Sequence, residues 1–329
     1  MCSDAPFQPH SDTTRNTQDG EPIALSVIIA SYNTQTLLSD CLRSIHENPP
    51  TDAHEIIIVD DASTDGSSAM VRERFPQARL LVNETNQHYA YSNNRALDVA
   101  RGAYVLLLNS DTLVMPKALD LMLEFLRARS DAGVVGCKLL NDDDTIQWSV
   151  KSLPNPGAAL FGARSIIARL LPNNPFTRRH LLHIGRDMAS PFEVANGYVS
   201  SAAFMVPMKV VKEVGHLDRR FAYHVDADYC RRIADAGYKC FYLPTAVIKH
   251  LNHKGGTMAN LKTRFRSLRM FEAQSYLYYC KHLDKKRSPR RIIVALGLCA
   301  HFLILATAQI VKEAAGAARA WGGSRSASA

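Results

Sequence analysis

Residues 25–33 read LSVIIASYN, and this short stretch sets the pattern on which the first half of the chain is built. Its first six residues, Leu25–Ala30, are an apolar and β-branched run typical of a strand buried on both faces, and the last three are polar. The same order recurs in EIIIVDD at 55–61 and in AYVLLLNSD at 103–111. Helical patterns separate these runs, the last of them at Tyr91–Ala100. The sequence therefore predicts an α/β protein with a central, mostly parallel sheet covered on both faces.

Each predicted strand ends in a polar cluster: Ser31-Tyr32-Asn33, Asp60-Asp61 and Asn109-Ser110-Asp111. Such residues are common in turns, so one cluster alone would be uninformative. Ligands of parallel sheets bind beyond the carboxyl ends of the strands, and three clusters there predict a single binding crevice. The sequence has neither a GxGxxG fingerprint nor a P-loop. Where those motifs place glycines or a lysine, the polar clusters of this sequence place a carboxylate. A carboxylate suits a divalent metal that is bound to a diphosphate.

The second half of the chain gives fewer signals. Pro116 is expected to start a helix at its first position. A second helix is expected to open at Asp226-Ala227-Asp228 and to end at Gly237, and strands follow at Lys239–Leu243 and Ala246–His250. Residues 151–193 contain five prolines and are predicted to form a loop over the crevice.

The charge of the protein is concentrated in one segment. Its 329 residues include 39 Lys and Arg against 31 Asp and Glu, a net charge of +8. Ten basic residues between Lys262 and Arg291 face only Glu272 and Asp284, so this segment alone carries 10 − 2 = +8. The remainder is therefore neutral, which argues against a nucleic-acid-binding protein with a diffuse basic surface. With 47% apolar residues, the chain as a whole is predicted to be globular.

The two ends of the sequence differ. Residues 1–22 have no apolar run, which predicts a disordered leader rather than a signal peptide. Residues 292–311 read IIVALGLCAHFLILATAQIV, twenty residues without a formal charge, directly after the basic segment at 259–291. This pattern predicts a membrane-associated or transmembrane helix, with a buried core helix as the alternative, followed by a tail at 312–329. Seven scattered cysteines without a CxxC pair suit a reducing cytoplasm.

Several motifs together resemble a known family. They are SVIIASYN (26–33), EIIIVDDASTDGS (55–67), NETNQHYAYSNNRAL (83–97), YVLLLNSDT (104–112), GVVGCKLL (133–140), DADYCRRIADAGYKCFYLP (226–244) and VIKH (247–250). In this order they resemble a family 2 glycosyltransferase, and more closely the bacterial rhamnosyltransferase-like branch. The resemblance implies a GT-A type, Rossmann-like nucleotide-diphospho-sugar transferase domain at 23–258 with C-terminal membrane-associated helices.

The resemblance also implies roles for individual residues. Asp226 matches the general base and Asp111 the metal ligand, which His250 would complete, with His253 as a competing ligand. The cofactor implied is Mg²⁺ or Mn²⁺. The nucleotide-sugar would be bound by Ser31, Tyr32, Asp60 or Asp61, Asn93, Asn109 and Asp228. Capping of a helix start is the alternative role for Asp226 and Asp228. The alternatives for His250 and Asn93 are a satisfied histidine at a strand end and a residue that only starts a helix.

The implied activity is inverting, metal-dependent transfer of a sugar such as rhamnose from a dTDP-, UDP- or GDP-sugar. The acceptor would be a glycan or a lipid-linked glycan in cell-surface polysaccharide synthesis, at the cytoplasmic face of the bacterial inner membrane. Residues 262–311 would contact the membrane, and nucleic acid is not an expected partner. Two positions depart from the family pattern: Val225 replaces a Glu and His88 replaces a Gly. Val225 motivates the alternative of a non-catalytic nucleotide-sugar-binding or scaffold protein on a degenerate fold.

Overall fold

The computed structural model describes residues 22–155, 170–171, 174, 189–251, 261–284 and 286–326. Most of the predicted loop at 151–193, the leader and His253 lie outside these residues. The strands are β1 (Leu25–Ser31), β2 (His54–Asp60), β3 (Arg79–Val82), β4 (Tyr104–Asn109), β5 (Thr112–Val114), β6 (Ala132–Leu140), β7 (Ile146–Gln147), β8 (Val150–Ser152), β9 (Phe192–Glu193), β10 (Gly197–Val199), β11 (Ala203–Pro207) and β12 (Lys239–His250). The helices are α1 (Gln35–Glu47), α2 (Ser67–Arg74), α3 (His88–Leu97), α4 (Ala118–Arg127), α5 (Met208–Val214), α6 (Val225–Asp235), α7 (Leu261–Tyr278) and α8 (Arg290–Ser326).

The strands β3, β2, β1, β4, β11, β6, β12 and β5 follow one another across the central sheet, in that order. The strands β1 and β2 pair in parallel, as do β1 and β4, while β11 runs antiparallel between β4 and β6. The prediction of a mostly parallel sheet is therefore confirmed. The chain moves outward from β1 in both directions, so the crevice is expected where the ends of β1 and β4 diverge.

Alternate residues of the central strands enter two hydrophobic cores, one on each face of the sheet. Val27 and Ile29 of β1 pack with residues of α1 and α4, whereas Ile28 packs with residues of α3 and α6. Successive side chains of a strand point to opposite faces, so burial on both faces requires the unbroken apolar runs seen in the sequence.

Three local predictions were wrong at their boundaries. The helix after Pro116 begins at Ala118, because Lys117 adopts a left-handed φ of 63° and separates the proline from the helix. The two predicted late strands form one strand, β12, with an irregular register between Leu243 and Val247 that absorbs Pro244. Helix α3 begins at His88 instead of Tyr91.

The C-terminal helices form an antiparallel hairpin. A π-helical turn, Tyr279–Leu283, follows α7, and α8 runs back along α7. The ion pairs Arg264–Glu313 (3.1 Å) and His301–Glu272 (2.9 Å) join the two helices. Within the described residues, Arg290–Val311 is the one segment long and apolar enough to cross a membrane, and none of its most apolar part is buried. The alternative of a buried core helix is therefore wrong.

Candidate active site

Hydrogen bonds join the carboxyl ends of β1 and β2. The Asn33 N–H donates to Ser63 Oγ (2.9 Å), and Asn33 Oδ1 accepts from the Thr64 N–H (2.8 Å). Asn33 has a positive φ of 51°, a conformation that asparagine tolerates better than most residues. The polar residues after these two strands are therefore held as one unit.

A second set of hydrogen bonds joins β1 to β4. The hydroxyl groups of Ser31 and Thr34 lie 2.8 Å apart, and those of Thr34 and Ser110 lie 3.0 Å apart. Tyr32, between them in sequence, is 49% exposed. The structure thus brings together the ends of β1, β2 and β4 that the sequence predicted to converge, and we call this region the crevice.

Asp60 and Asp61 lie beneath the surface of the crevice. They are 1% and 3% exposed. Asp60 accepts from the Ser63 N–H (2.9 Å) and the Ser68 hydroxyl, and Asp61 accepts from Asn83 Nδ2 (2.6 Å). These contacts hold the loops after β2 and β3. The role of either carboxylate in binding a nucleotide base stays a prediction.

Asp111, Asn109 and His250 meet at the edge of the crevice. His250 Nε2 lies 3.2 Å from Asp111 Oδ1 and 3.4 Å from Asn109 Nδ2. The chain is fixed there by the Leu251 N–H, which donates to the Asp111 carbonyl oxygen (2.9 Å). The side chains of Asp111 and His250 are 19% and 13% exposed, so they are held in place and remain open to a ligand.

A chain of side chains from the β6–β7 turn sets the tautomer of His250. Gln147 Nε2 donates to Asn141 Oδ1 (3.1 Å), so its Oε1 is the atom that faces His250 Nδ1 at 2.8 Å. The Nδ1–H therefore donates to Gln147, and Nε2 is the ring nitrogen that faces Asp111 and Asn109. Asn141 in turn donates to Thr145 Oγ1 (2.9 Å). Metal-ligating histidines are usually oriented in this way, by a hydrogen bond from the ring nitrogen that does not bind the metal.

These residues fit a divalent cation. The Asp111 carboxylate oxygen and His250 Nε2 lie 3.2 Å apart, a spacing that would allow both to bind one cation. Among the residues that the structure describes, no group of three His, Cys, Asp or Glu side chains surrounds this point. Asp111 and His250 would therefore supply two ligands and leave coordination positions for a substrate diphosphate.

Asp226 is anchored to the same edge of the sheet. The Asn109 N–H donates to the Ala202 carbonyl oxygen (2.9 Å), and the neighbouring Ser201 N–H faces Asp226 Oδ2 at 3.5 Å. The other carboxylate oxygen accepts from the Ala227 N–H (2.9 Å). Burial raises the pKa of Asp226, and the charge of Lys151 only partly opposes this. A carboxylate with a raised pKa is suited to accept a proton near neutral pH.

Asp228 does not reach the crevice, and the predicted contact with a donor is wrong. Its side chain is fully buried and faces His282 Nε2 (2.7 Å), Lys281 Nζ (2.5 Å) and Arg232 Nε (3.0 Å). Burial opposes ionisation, but the hydrogen bonds from His282 and Lys281 outweigh it and lower the pKa of Asp228. The role of Asp228 is therefore structural, but through these ion pairs; its side chain does not cap the helix start, which was the alternative.

The loop before α6 is held by α7. Gln274 Oε1 accepts from the N–H groups of Ala222 (2.9 Å) and Tyr223 (2.5 Å), and the Ser275 hydroxyl lies 2.9 Å from His224 Nε2. We call the contacts of 222–228 and Asp218 with α7 and the π-helical turn the junction. The junction reaches Asp226, because His224 occupies the N-cap position of α6, two residues before Asp226.

Helix α3 contains one unusual group. Asn93 is fully buried; its Nδ2 donates to the Tyr89 carbonyl oxygen (2.8 Å), and its Oδ1 has no hydrogen-bond partner in the described residues. A buried unpaired acceptor is costly, so Asn93 remains a candidate for ligand binding. Its neighbour Asn94 instead holds both backbone groups of Leu217 (2.8 and 2.9 Å).

The structure explains both departures from the family pattern. His88 has a φ of 66°, a left-handed conformation in which glycine is unstrained, and its N–H donates to Asp61 (2.8 Å). This bond also explains the early start of α3. Val225 is 5% exposed and packs in the core, so an apolar residue suits its position.

Sequence reasoning missed Gln147, Ser201 and Gln274. Gln147 lies in a polar stretch that resembles any surface turn, and Ser201 acts through its backbone. Gln274 lies in a helix 51 residues from Tyr223. Nothing local in the sequence marks these three contacts.

Comparison with known proteins agrees with this geometry. The model of the family "Glycosyl transferase family 2" matches residues 26–191. The N-acetylglucosaminyl-diphospho-decaprenol L-rhamnosyltransferase of Mycobacterium tuberculosis is 25% identical over 300 residues, which cover 85% of this chain and 92% of that protein. The residues matched by the family model include the ends of β1, β2 and β4 and the whole of α3.

Two solved structures share the fold. The mannosyltransferase PcManGT from Pyrobaculum calidifontis, in complex with GDP-Man and Mn²⁺, superimposes with a TM-score of 0.53 at 20% identity and covers 95% of this chain and 86% of its own. The S. aureus TarS fragment 1–349 gives a TM-score of 0.50 at 14% identity, covering 85% and 80%. These likenesses confirm the predicted GT-A fold. With half of its length matched by the family model, the chain belongs to glycosyl transferase family 2 and resembles its rhamnosyltransferase-like branch.

Proposed function

We propose that the protein is an inverting, metal-dependent glycosyltransferase that moves a sugar, such as rhamnose, from a nucleotide-diphospho-sugar to a lipid-linked glycan. The observation that carries the proposal is the anchoring of Asp226 and of the Asp111–His250 pair to one edge of the sheet, through Ser201-Ala202 and Asn109. This arrangement would give one crevice both a base and a cation site. The M. tuberculosis relative, named for rhamnose transfer to a lipid-linked sugar, supports the sugar and acceptor classes.

The residues of the crevice have distinct tasks. Asp111 and His250 would hold Mg²⁺ or Mn²⁺, and the Mn²⁺ in the PcManGT complex supports this assignment. When bound, the ion would neutralise the charge that develops on the departing diphosphate. Asn109 fixes the position of His250, while Ser31, Tyr32 and the loops held by Asp60 and Asp61 would receive the nucleoside.

Asp226 would remove the proton of the acceptor hydroxyl. The hydroxyl oxygen forms a bond to the anomeric carbon as the bond from that carbon to the diphosphate oxygen breaks, and the leaving group keeps the electron pair. The proton goes to the Asp226 carboxylate, whose raised pKa matches this task. A single displacement inverts the anomeric configuration.

The place of action would be the cytoplasmic face of the bacterial inner membrane, with residues 262–311 at the lipid surface. An apolar, unburied segment next to basic residues supports this location. Val225 motivates the non-catalytic alternative, but its burial in the core supports a packing role for this position instead.

The test is a turnover assay with dTDP-, UDP- and GDP-sugars, Mn²⁺ or Mg²⁺, and a lipid-linked glycan acceptor. We expect transfer from at least one donor that stops when EDTA is added and resumes with metal. NMR of the product should show the anomeric configuration opposite to that of the donor. Retention of configuration, or full activity in EDTA, would contradict the mechanism.

A further inference from the structure

The C-terminal hairpin forms the outer layer of this side of the protein. Three residues of α7, Phe271, Gln274 and Ser275, contact the loop before α6. Two others, Arg264 and Glu272, pair with α8 instead. The helix α7 therefore lies between the catalytic domain and α8, and α8 has one inner face against α7.

The surface of residues 292–311 that faces away from α7 is mostly apolar and uncovered. His301 pairs with Glu272 of α7, and Gln309 donates to Glu313 (3.2 Å), which itself pairs with Arg264 of α7. Seven large side chains outside these contacts are between 52% and 70% exposed: Ile292, Ile293, Leu296, Leu303, Ile304, Ile310 and Val311. A continuous apolar surface of this kind marks a protein or membrane contact.

Eight of the ten basic residues of the segment have described side chains, and they form two groups with different uses. Arg264, Lys281 and Arg291 are paired with acidic residues of the protein. Five others are exposed on the surface: Arg266, Arg269, Lys286, Arg287 and Arg290. The exposed group borders the apolar surface of α8. An apolar helix surface next to exposed basic residues is attracted to membranes with anionic lipid head groups.

The pairing of the two helices argues against a crossing of the bilayer. Arg266 and Arg269 lie between the Arg264–Glu313 and Glu272–His301 pairs, so they run beside residues 302–311 of α8. If 292–311 crossed the hydrocarbon, both exposed arginines would be placed within it. Arginine is among the most costly residues there, and lipid-facing examples are rare.

We propose that α8 lies in the plane of an anionic bilayer, with its apolar surface at the acyl boundary and the five exposed basic residues at the head groups. This inference deepens the membrane contact of the proposed function and does not depend on turnover. An in-plane helix of this type buries one face in the interface and keeps both ends on the same side. The position of α7 would then place the loop before Asp226 close to the lipid surface.

The position of the tail distinguishes the two orientations. Ser324→Cys, beyond Val311, is made in a chain whose Cys2, Cys280 and Cys299 are serine, and Ser130→Cys on the catalytic domain is the matched control. In sealed membrane vesicles with the catalytic domain outward, a membrane-impermeant maleimide should label both cysteines equally. Labelling of Ser324→Cys only after detergent would show a crossing helix and overturn the proposal.

The preference for anionic over neutral lipids tests the proposed contact between the five exposed basic residues and the head groups. We expect flotation with phosphatidylglycerol-containing vesicles and a roughly 25-fold weaker association for the Arg266→Ala/Arg269→Ala pair, about five-fold for each residue. Arg72→Ala, an exposed arginine on α2, should bind like the unchanged protein. Equal binding to neutral vesicles, or a dimer in solution without vesicle binding, would assign the surface to a different contact. Both outcomes are independent of whether the enzyme turns over a donor.

Discussion

The crevice and the junction each contain a carboxylate beside a histidine, but their other partners differ. At the junction, Asp228 is surrounded by Arg232, Lys281 and His282 and is closed to solvent. In the crevice, Asp111 faces His250 and pairs with no lysine or arginine of the described residues, and both side chains remain partly exposed. A carboxylate that is ion-paired with several basic side chains of the protein stabilises the fold. A carboxylate without such partners is available to bind a ligand. The two regions should therefore respond in opposite ways to loss of charge.

The largest effect is expected at Asp226. Asp226→Asn removes the proton acceptor and should lower kcat by roughly 10²- to 10⁴-fold, the usual contribution of a general base. Donor binding should be unchanged, because this residue contacts the backbone of Ser201 and Ala227 rather than the cation site. Steady-state kinetics measures the change in kcat, and calorimetry of nucleotide binding checks that donor binding is unchanged. An unchanged kcat would show that another group is the base.

The pH dependence of activity follows from the same residue. Because burial raises the pKa of Asp226, kcat should fall with decreasing pH at a higher pH than an ordinary aspartate would give. The raised pKa also affects the stability of the fold. Above the pKa that Asp226 has in the folded protein, its ionisation lowers the free energy of unfolding. Below the pKa of an aspartate in the unfolded chain, about 3.9, it has no effect. Asp226→Asn should therefore raise Tm at neutral pH, and the difference should vanish in acid.

Asp228→Asn should give the opposite result. Removing one partner of a buried ion cluster leaves cations uncompensated and should destabilise the fold by about 3–5 kcal/mol. The loss should be present above pH 4 and shrink as the pH falls through the lowered pKa of Asp228. Urea unfolding of Asp228→Asn beside Asp235→Asn, an exposed partner of Arg231 on the same helix, gives the comparison. Similar stability of the two variants would show that the junction is not a stabilising cluster.

A smaller effect is expected at Gln147. Gln147→Leu removes the acceptor that fixes the His250 tautomer and should weaken Mn²⁺ binding about 10- to 100-fold, as is typical for partners of metal ligands. Thermal stability should change little, because Gln147 is only partly buried. Mn²⁺ titration by EPR measures the affinity directly. Gln147→Glu, which keeps the acceptor, should retain binding, and equal loss in both variants would contradict the tautomer argument.

The smallest effect is expected at His88. Its left-handed backbone is strained for a side chain, so His88→Gly should stabilise the protein by up to about 1 kcal/mol. The bond from its N–H to Asp61 should persist, because it is a backbone bond. Tm measurement checks this prediction. A lower Tm would show that the imidazole makes a stabilising contact.

The two regions also differed in how well the sequence predicted them. The residues of the crevice directly follow apolar strand runs, so the rule for parallel sheets placed Ser31, Asp60 and Asn109 together. At the junction, Asp228 pairs with His282, 54 residues away. An aspartate at a helix start has the same local pattern whether it faces a ligand or a distant lysine. Its role therefore could not be read from its neighbours.

The central claim is that Asp111 and His250 hold the cation that binds the donor diphosphate, while Asp226 acts only in proton transfer. Calorimetry of UDP, GDP and dTDP binding, with and without Mn²⁺, tests this claim in the unchanged protein, Asp111→Asn and Asp226→Asn. We expect Mn²⁺ to strengthen binding of one nucleotide in the unchanged protein and in Asp226→Asn, and to have no effect in Asp111→Asn. Mn²⁺-dependent binding of equal strength in Asp111→Asn would contradict the claim.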